Sequence, residues 1–416
     1  MNAAWQEQPG PPITSTDALR ALADEPDLLC LHGGTLGHTW LAWGAPPQLI
    51  RSYDELGRAA HQTPTTEPWD HMAWGPGAAG ADVIQLDYEF PSVAGRRWPP
   101  DAWCAWSPAG NCVLHARDEA GFARLRAGLA RPARHLDPPR IDGALIPAWN
   151  AAGHAERVER IRAWIAEGQI YQANLTLPFR ARLHDGVHRD LALFLRLIAH
   201  SPAGYAGFFR QAGRTVMSHS PECFLRAHGD CVTAEPIKGT RRRIAGQETE
   251  TRVELLAAPK DRAELAMIID LVRNDLGRVA VPGSVRVSDP AVVVDLPHLH
   301  HLAGRITARL APGHGWADLV AANHPCGSIT GAPKRRAMEL IHAIESGPRG
   351  AYCGCFGWIG PAALQLAVAI RCLELSGDAL TFHAGGGIVA DSDGAAEWDE
   401  VRAKAAALAF AVGGDL

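Results

Sequence analysis

The stretch YAGFFRQAGRTVMSHSPECFLRAHGDCVTAE, residues 205–235, decides how this chain folds. Four short runs stand out in it: Tyr205–Arg210, Thr215–His219, Cys223–Ala227 and Cys231–Glu235. Runs of this length and apolar, β-branched or aromatic texture, in close succession, read as an antiparallel strand series. The series leads straight into Pro236-Ile-Lys-Gly-Thr240, so Glu222 and Lys238 lie in or beside adjacent strands of a hairpin-like pair. A lone lysine is usually a solvated surface group. One between Ile237 and Gly239 becomes a nucleophile if it is desolvated or set near other cations. Arg241, Arg242 and Arg243 are such cations close in sequence, although they could equally bind carboxylate-like anions.

Helical periodicity flanks this series. Val158, Ile161 and Ile165 recur on one face of a helix expected over His154–Glu167, with Gly168 at its end. Further helices are expected at Leu191–Ala199, Glu248–Ala257, Arg262–Asn274, Ala332–Glu345 and Ala395–Val412, with Pro333 in the first turn of the fifth. Ala351–Ile359, Leu364–Leu375 and Leu380–Ala384 read as strands. Residues 1–145 differ in texture. They hold most of the thirteen tryptophans, strand-like runs at Asp82–Phe90, Ala102–Trp106 and Asn111–Ala116, and loops such as Trp74–Gly80. A Pro-rich connection, Pro132–Pro147, follows. The expectation is an α+β fold with large antiparallel β-sheets packed with helices. An N-terminal β-rich region, 1–145, would pack on a catalytic part, 146–416.

Bulk properties narrow the function classes. The chain has 416 residues, 47% hydrophobic and 20% charged, which is globular composition. Formal net charge is −5 with no block of like charge, so no nucleic-acid stripe is read. The longest apolar runs are too short to span a bilayer, and the first residues lack a basic and an apolar signal region. No membrane association and a cytoplasmic location are expected. Nine cysteines, an odd number, mostly in apolar contexts, read as free thiols in a reducing compartment.

Several segments could carry chemistry. On the last helix Glu397, Glu400 and Lys404 share one face, opposite Val401, Ala405 and Leu408. Taken alone that is a solvated stripe with one ion pair. It follows Gly385-Gly-Gly-Ile-Val-Ala-Asp, where glycines after a strand let backbone N–H groups approach an anion, or simply form a flexible turn. Glu264, expected in the first turn of its helix, is either ordinary helix chemistry or a hard-metal ligand. Gly327-Ser-Ile-Thr-Gly-Ala-Pro-Lys334 fails the phosphate-loop spacing, because Ala332-Pro333 separates Gly331 from Lys334. It remains a possible carboxylate cradle. His298, His300 and His301 lack carboxylate or Cys partners at ligand spacing and read as structural or hydrogen-bonding histidines.

In order along the chain, these segments resemble the chorismate-binding enzymes. That family includes anthranilate synthase component I, aminodeoxychorismate synthase component I, isochorismate synthase and salicylate synthase. The matching stretches are Gly168-Gln-Ile-Tyr-Gln-Ala-Asn-Leu, Ser220-Pro-Glu, Pro236-Ile-Lys-Gly-Thr, Lys260-Asp-Arg-Ala-Glu, Asn274-Asp-Leu-Gly-Arg, His301-Leu, Gly327-Ser-Ile-Thr-Gly-Ala-Pro-Lys, Ala369-Ile-Arg and Gly385-Gly-Gly-Ile-Val-Ala-Asp with Glu397 to Lys404. The resemblance implies an anthranilate synthase component I-like fold. It implies Glu222 as the general acid toward the C4 hydroxyl of chorismate, and Mg2+ held by Glu264 and Glu400 with Glu397 adjacent. It also implies substrate contacts from Gly239, Thr240, His301, Thr330, Arg371, Gly385, Gly386 and Lys404. Chorismate is a dianion, so a cation, an Arg fork and backbone N–H groups suit it.

Two positions select the branch. Isochorismate and salicylate synthases carry a water-activating Lys where Gln172 stands. The aminodeoxychorismate branch typically has Lys in Pro-Ile-x-Gly-Thr, as Lys238, where anthranilate synthases typically have Ala. The resemblance therefore implies a magnesium-dependent, transaminase-class amination of chorismate to 4-amino-4-deoxychorismate for p-aminobenzoate and folate synthesis. Lys238 would be the covalent nucleophile, with ammonia from a glutamine amidotransferase (glutaminase) subunit and a downstream lyase acting on the product. The alternatives are anthranilate synthase component I and, of another class, a catalytically silent chorismate-binding regulatory subunit. Two departures stand out. The motif that lines a tryptophan pocket in relatives is not recognisable around Leu28-Leu-Cys-Leu-His, and Cys326 stands where Gly is common.

Overall fold

The computed structural model describes residues 5–33, 38–44, 46–56, 81–200, 203–211, 213–244, 246–295 and 299–414. The Trp74–Gly80 loop and His298 lie outside them. Two antiparallel sheets, of twelve and ten strands among the described residues, carry the fold. Alternation along the strands assigns their faces. Leu29, Leu31, Phe209 and Val216 of the larger sheet enter a core shared with the smaller sheet, including Val83, Leu225, Leu302 and Leu366. Their sequence neighbours Leu28, Cys30, Phe208 and Met217 enter a second core beneath helices, with Val158, Ile161, Leu193, Val401 and Leu408.

Strands from residues 1–145 are hydrogen-bonded into both sheets. Leu29–His32 pairs with Tyr205–Gln211 in the larger, and Asp82–Leu86 pairs with Cys355–Ile359 in the smaller. The turn after Asp82–Leu86 also grips the C-terminal half. His324 Nε2 bonds Asp87 O at 3.0 Å, and the Glu89 carboxylate accepts from the N–H groups of Arg349 and Gly350.

The four runs of 205–235 are strands as expected, Tyr205–Gln211, Arg214–Ser220, Cys223–His228 and Cys231–Glu235. They do not form one series. The first two pair in the larger sheet and the last two in the smaller, so the chain changes sheets across Ser220-Pro221-Glu222. The expected single strand Leu364–Leu375 likewise divides. Ala363–Val368 belongs to the smaller sheet and Cys372–Ser376 to the larger, with Arg371 at φ +49° between them. The two crossings lie side by side: Val368 N donates to Glu222 O and His219 N to Arg371 O, each at 3.2 Å.

From residue 146 on, the helices run Ala151–Ala166, Arg189–His200, Glu248–Ala257, Pro259–Gly277, Trp316–Asn323, Lys334–Ile344 and Gly394–Ala411, the fifth of them not expected. Gly168 takes φ +75° just past the first, as its position at the helix end requires. Pro259 opens the Pro259–Gly277 helix three residues before the expected start, so Asp261 occupies the first turn and Glu264 falls in the second. Pro333 is the N-cap of Lys334–Ile344, because Gly331–Ala332 is drawn into a two-residue strand beside Gln172–Ala173. Cys353, expected to share a strand with Cys355, instead turns at φ +67°. All nine cysteines are free and eight are buried. Among the described residues no helix is long and apolar enough to cross a membrane.

Candidate active site

The two sheet crossings run side by side and carry Glu222 and Arg371 on adjacent segments, and the neighbouring segments complete the site. Cys223 stands opposite Glu235, so Glu222 and Ile237 emerge at the same end of that hairpin. The Ile237 N–H and the Ser328 hydroxyl lie near the Glu222 carboxyl group and favour its charged form. Its Oε1 is buried with no partner, and the residue is 4% exposed. Burial pushes Glu222 up to about 7; Ser328, the Lys238 ammonium and Ile237 hold it back only in part. A carboxyl group so placed is protonated near neutral pH, as a general acid must be.

Lys238 is half-buried in the Ile237–Arg242 strand, and its Nζ donates to Ser328 O at 3.4 Å. Burial pulls the ammonium below its ordinary value and the Lys404 charge adds to this, against Glu264, Glu222 and Glu400. The arginines expected to do so are elsewhere occupied in one case: Arg241 pairs with Glu254 and Asp261. Gly239, at φ +73°, packs so close to Asp261 that a Cβ would stand 2.8 Å from its Cγ.

The glycine run is strand, not turn. Ala379–Ile388 pairs with Gln172–Leu183 throughout, but with Cys372–Ser376 only as far as Phe382, so one edge is open beyond it. Thr176 N donates to Glu345 and Asn174 N to Thr330 O, so their partners Gly385 and Gly387 occupy non-hydrogen-bonded pairs with N–H groups toward the open edge. Gly386 alternates with them, and its N–H is spent in the ladder. What Gly386 supplies is room, since a Cβ there would lie 3.3 Å from Glu397 Oε2 and 3.4 Å from Glu400 Oε1. At Gly387 a Cβ would lie 2.5 Å from Gln172 Nε2 and 3.6 Å from Lys238 Nζ.

Gly394–Ala411 presents its acidic face to this edge, while Val401, Ala405 and Leu408 are buried on the other side. Lys404 Nζ bonds Glu400 at 2.6 Å and Gly385 O at 3.0 Å. Glu397 accepts from Ser392 at 2.7 Å, with Lys260 Nζ at 4.0 Å. Glu264 and Glu400 feel one another's charge. Glu264 is raised, by burial first, then by Glu400 and Asp261, against Lys238 and Lys260. At Glu400 burial is outweighed by Lys404, Lys260 and Lys238, which hold it below the usual carboxylate range.

His301 is buried, with Nδ1 against Thr240 Oγ1 at 2.8 Å and Nε2 without a partner. Burial and the Arg371 charge pull it down to about 4, so it is a neutral imidazole. His300 points elsewhere and pairs with Asp295 at 2.7 Å. Thr330 is fully buried, its hydroxyl donating to Cys326 O and Gly327 O within its own turn. Lys334 faces away from the site, bonded to Asp275 at 2.6 Å and Asn323 O at 2.7 Å. Gln172 is buried, with Oε1 unpartnered.

The sequence reading missed the ion pair beneath the site. Arg349 and Glu345 side chains are 1% and 5% exposed and 2.7 Å apart. Arg349 also donates to Ile329 O and Asn174 O, while Glu345 accepts from Thr176 N and Oγ1. The pair fastens the 327–330 turn to the strand that carries Gln172. Its only sequence signal is the i, i+4 spacing, which usually marks a solvated pair.

Known proteins resemble this chain in sequence and in fold. The family model for chorismate binding enzymes matches residues 108–410. The chain is 36% identical over 355 residues to aminodeoxychorismate synthase component 1 of Klebsiella aerogenes, covering 82% of this chain and 78% of that one. It is 33% identical over 424 residues to anthranilate synthase component 1 of Streptomyces coelicolor, covering 97% and 78%. The menaquinone-specific isochorismate synthase of Escherichia coli superposes with a TM-score of 0.81 at 19% identity, over 98% of this chain and 94% of that one. Anthranilate synthase component I of Streptococcus pneumoniae gives 0.73 at 22% identity, over 98% and 92%. The α+β fold is thus the anthranilate synthase component I-like fold, and the chain belongs to the chorismate-binding enzyme family.

Proposed function

We propose that this chain converts chorismate and ammonia to 4-amino-4-deoxychorismate. The observation that carries the reading is Lys238: a lysine with a depressed pKa beside a protonated buried acid, Glu222, and with Gln172 rather than a base at the strand start. Glu222 gives its proton to the C4 hydroxyl, which leaves as water. Neutral Lys238 Nζ attacks C2 as both ring double bonds shift toward C4 and the C4–O bond breaks. Ammonia then adds at C4, both double bonds shift back, the C2–N bond breaks to return Lys238 as the free amine, and the ammonium formed at C4 gives a proton back to Glu222. The enolpyruvyl group stays on the ring. Gln172 cannot take a proton from water, which disfavours hydroxylation at C2.

Glu264 and Glu400, with Glu397 adjacent, suit Mg2+. They are hard oxygen donors close enough to perturb one another. Among the described residues no three potential ligand side chains converge on one point. Magnesium accepts one or two carboxylates and takes its other ligands from water and substrate. When bound, the ion would neutralise a substrate carboxylate. Arg371, Lys404 and the Gly385 N–H would orient the dianion, and His301 would offer a neutral ring nitrogen. Ammonia would come from a glutaminase subunit, and a lyase would consume the product.

A protein sample held with chorismate and magnesium but without ammonia tests the covalent step. Intact mass spectrometry should find an adduct of chorismate less one water, mapped to Lys238 and missing from Lys238→Ala. No adduct in the unaltered protein under these conditions would remove Lys238 as nucleophile. The relative named anthranilate synthase component 1 keeps that product as the second reading.

A further inference from the structure

The carbonyl groups of the 326–332 segment are held one by one. Thr330 Oγ1 donates to Cys326 O at 3.0 Å and to Gly327 O at 3.2 Å. Arg349 Nη1 donates to Ile329 O at 2.8 Å. Asn174 N donates to Thr330 O and Tyr171 N to Ala332 O, each at 2.7 Å. Ser328 O has a different kind of donor, Lys238 Nζ, at 3.4 Å. That distance is long for an N–H···O bond, as contacts of a reacting side chain often are before substrate arrives.

A carbonyl suits a lysine that must attack as the neutral amine. It accepts an N–H from ammonium and amine alike, takes no proton, and leaves the amine lone pair for carbon. Ser328 O can aim Nζ only while the peptide that bears it stays still. The next carbonyl along, Ile329 O, is the one Arg349 holds. The same guanidinium donates to Asn174 O at 2.6 Å, on the strand opposite Gly387, and to the two oxygens of Glu345 at 2.7 Å and 2.9 Å. The Tyr88 ring covers it, with its centre 4.5 Å away. Glu345 answers the charge, while the remaining bonds go past it to backbone carbonyls of the turn and the strand.

We propose that Arg349 is a positioning residue for Lys238: by fixing Ile329 O it holds the adjoining Ser328 carbonyl where that carbonyl aims the Lys238 nitrogen at the substrate. The inference rests on the reading of Lys238 as nucleophile, and two measurements keep the two apart. The first needs no substrate. Ser328-Ile329 is the one Ser-Ile pair in the sequence, so protein labelled with 13C-carbonyl serine and 15N-isoleucine gives a single carbonyl–amide NMR signal from that peptide. Lys238→Met removes the donor to Ser328 O and should shift its carbonyl frequency. The second is the rate constant at which saturating chorismate, with magnesium and without ammonia, builds the Lys238 adduct, taken apart from the amount of adduct formed.

Glu345→Gln leaves the guanidinium on Ile329 O and Asn174 O but strands its buried charge. It should melt lower than the unaltered protein, yet keep the carbonyl signal and the rate constant. Arg349→Met combined with Glu345→Gln removes both charges and should be at least as stable as Glu345→Gln alone, but nothing holds Ile329 O. Its carbonyl signal should move toward that of Lys238→Met. Its rate constant should fall about tenfold or more, since misplacing a reacting group by about 1 Å can cost about a hundredfold, with little change in KM for chorismate. Arg349→Lys, with one nitrogen for three acceptors, should move both readouts the same way. A merely structural role predicts the opposite order, with the amount of adduct following the melting temperature and the rate constant unchanged. A double variant or Arg349→Lys that reacts as fast as Glu345→Gln would overturn the inference. So would a carbonyl signal that moves in neither of them, or that Lys238→Met leaves in place. Absence of adduct in the unaltered protein would instead defeat the nucleophile reading, and the carbonyl signal would still decide whether Arg349 places Lys238.

Discussion

Glu222→Gln should abolish amination and yet stabilise the folded protein above neutral pH. Glu222 titrates at about 7 in the fold and 4.5 as an ordinary carboxyl group. Between those values the folded state holds a proton that the unfolded state has released. Stability contributed by this site is therefore full below about 4.5 and lost as pH rises through about 7. At 1.36 kcal/mol per pH unit the full loss is about 3 kcal/mol. Glutamine has nearly the shape of the protonated acid, but it never ionises. The stability advantage of Glu222→Gln should therefore grow from about 1 kcal/mol at pH 5 to about 3 kcal/mol at pH 8. With 416 residues and an unfolding entropy of roughly 2.1 cal/mol/K per residue, this is a Tm difference rising from about 1 °C to about 4 °C if the chain unfolds as one unit. Paired thermal or urea melts of the two proteins across that pH range isolate the single group, because every other titration cancels. A difference that stays flat from pH 5 to 8 would refute the raised pKa and the acid assignment built on it.

Lys238→Ala should lose the covalent adduct and nearly all amination, and Lys238→Arg should not restore it, since guanidinium stays protonated; equal activity in either variant, measured by product formation, would contradict the nucleophile assignment. Glu400→Gln should weaken the magnesium dependence of turnover, and an unchanged magnesium titration would remove Glu400 from the ligands. Arg349→Met should cost about 3–5 kcal/mol by stranding buried Glu345; urea melts should show Arg349→Met with Glu345→Gln recovering much of it, and a double variant no better than the single would show that the pair is not coupled.

Local chemistry made much of this legible. Glu248–Ala257 and Cys231–Glu235 are found at the residues where periodicity placed them. The Glu397, Glu400 and Lys404 stripe does face the glycine strand, with Val401 and Leu408 opposite. What sequence could not give is which sheet a strand joins. Leu364–Leu375 reads as one apolar strand because both halves are buried, and the backbone reversal at Arg371 leaves no mark on composition. The crossing at Ser220-Pro221-Glu222 was hidden in the same way, although both crossings bring the site together. The glycines from Gly385 look like a turn until Gln172–Leu183 is beside them; there Leu175 O would stand 2.1 Å from a Cβ at Gly385, so only glycine lets the strands meet. Arg349 and Glu345 were missed because nothing in an i, i+4 pair says whether solvent or strand covers it.

The identity of the aminated product tests the central claim most directly. Purified protein is incubated with chorismate, magnesium and ammonium, and the lyase is then added. Lys238 as nucleophile at C2, with ammonia entering at C4, predicts p-aminobenzoate and no anthranilate; anthranilate without p-aminobenzoate would contradict it.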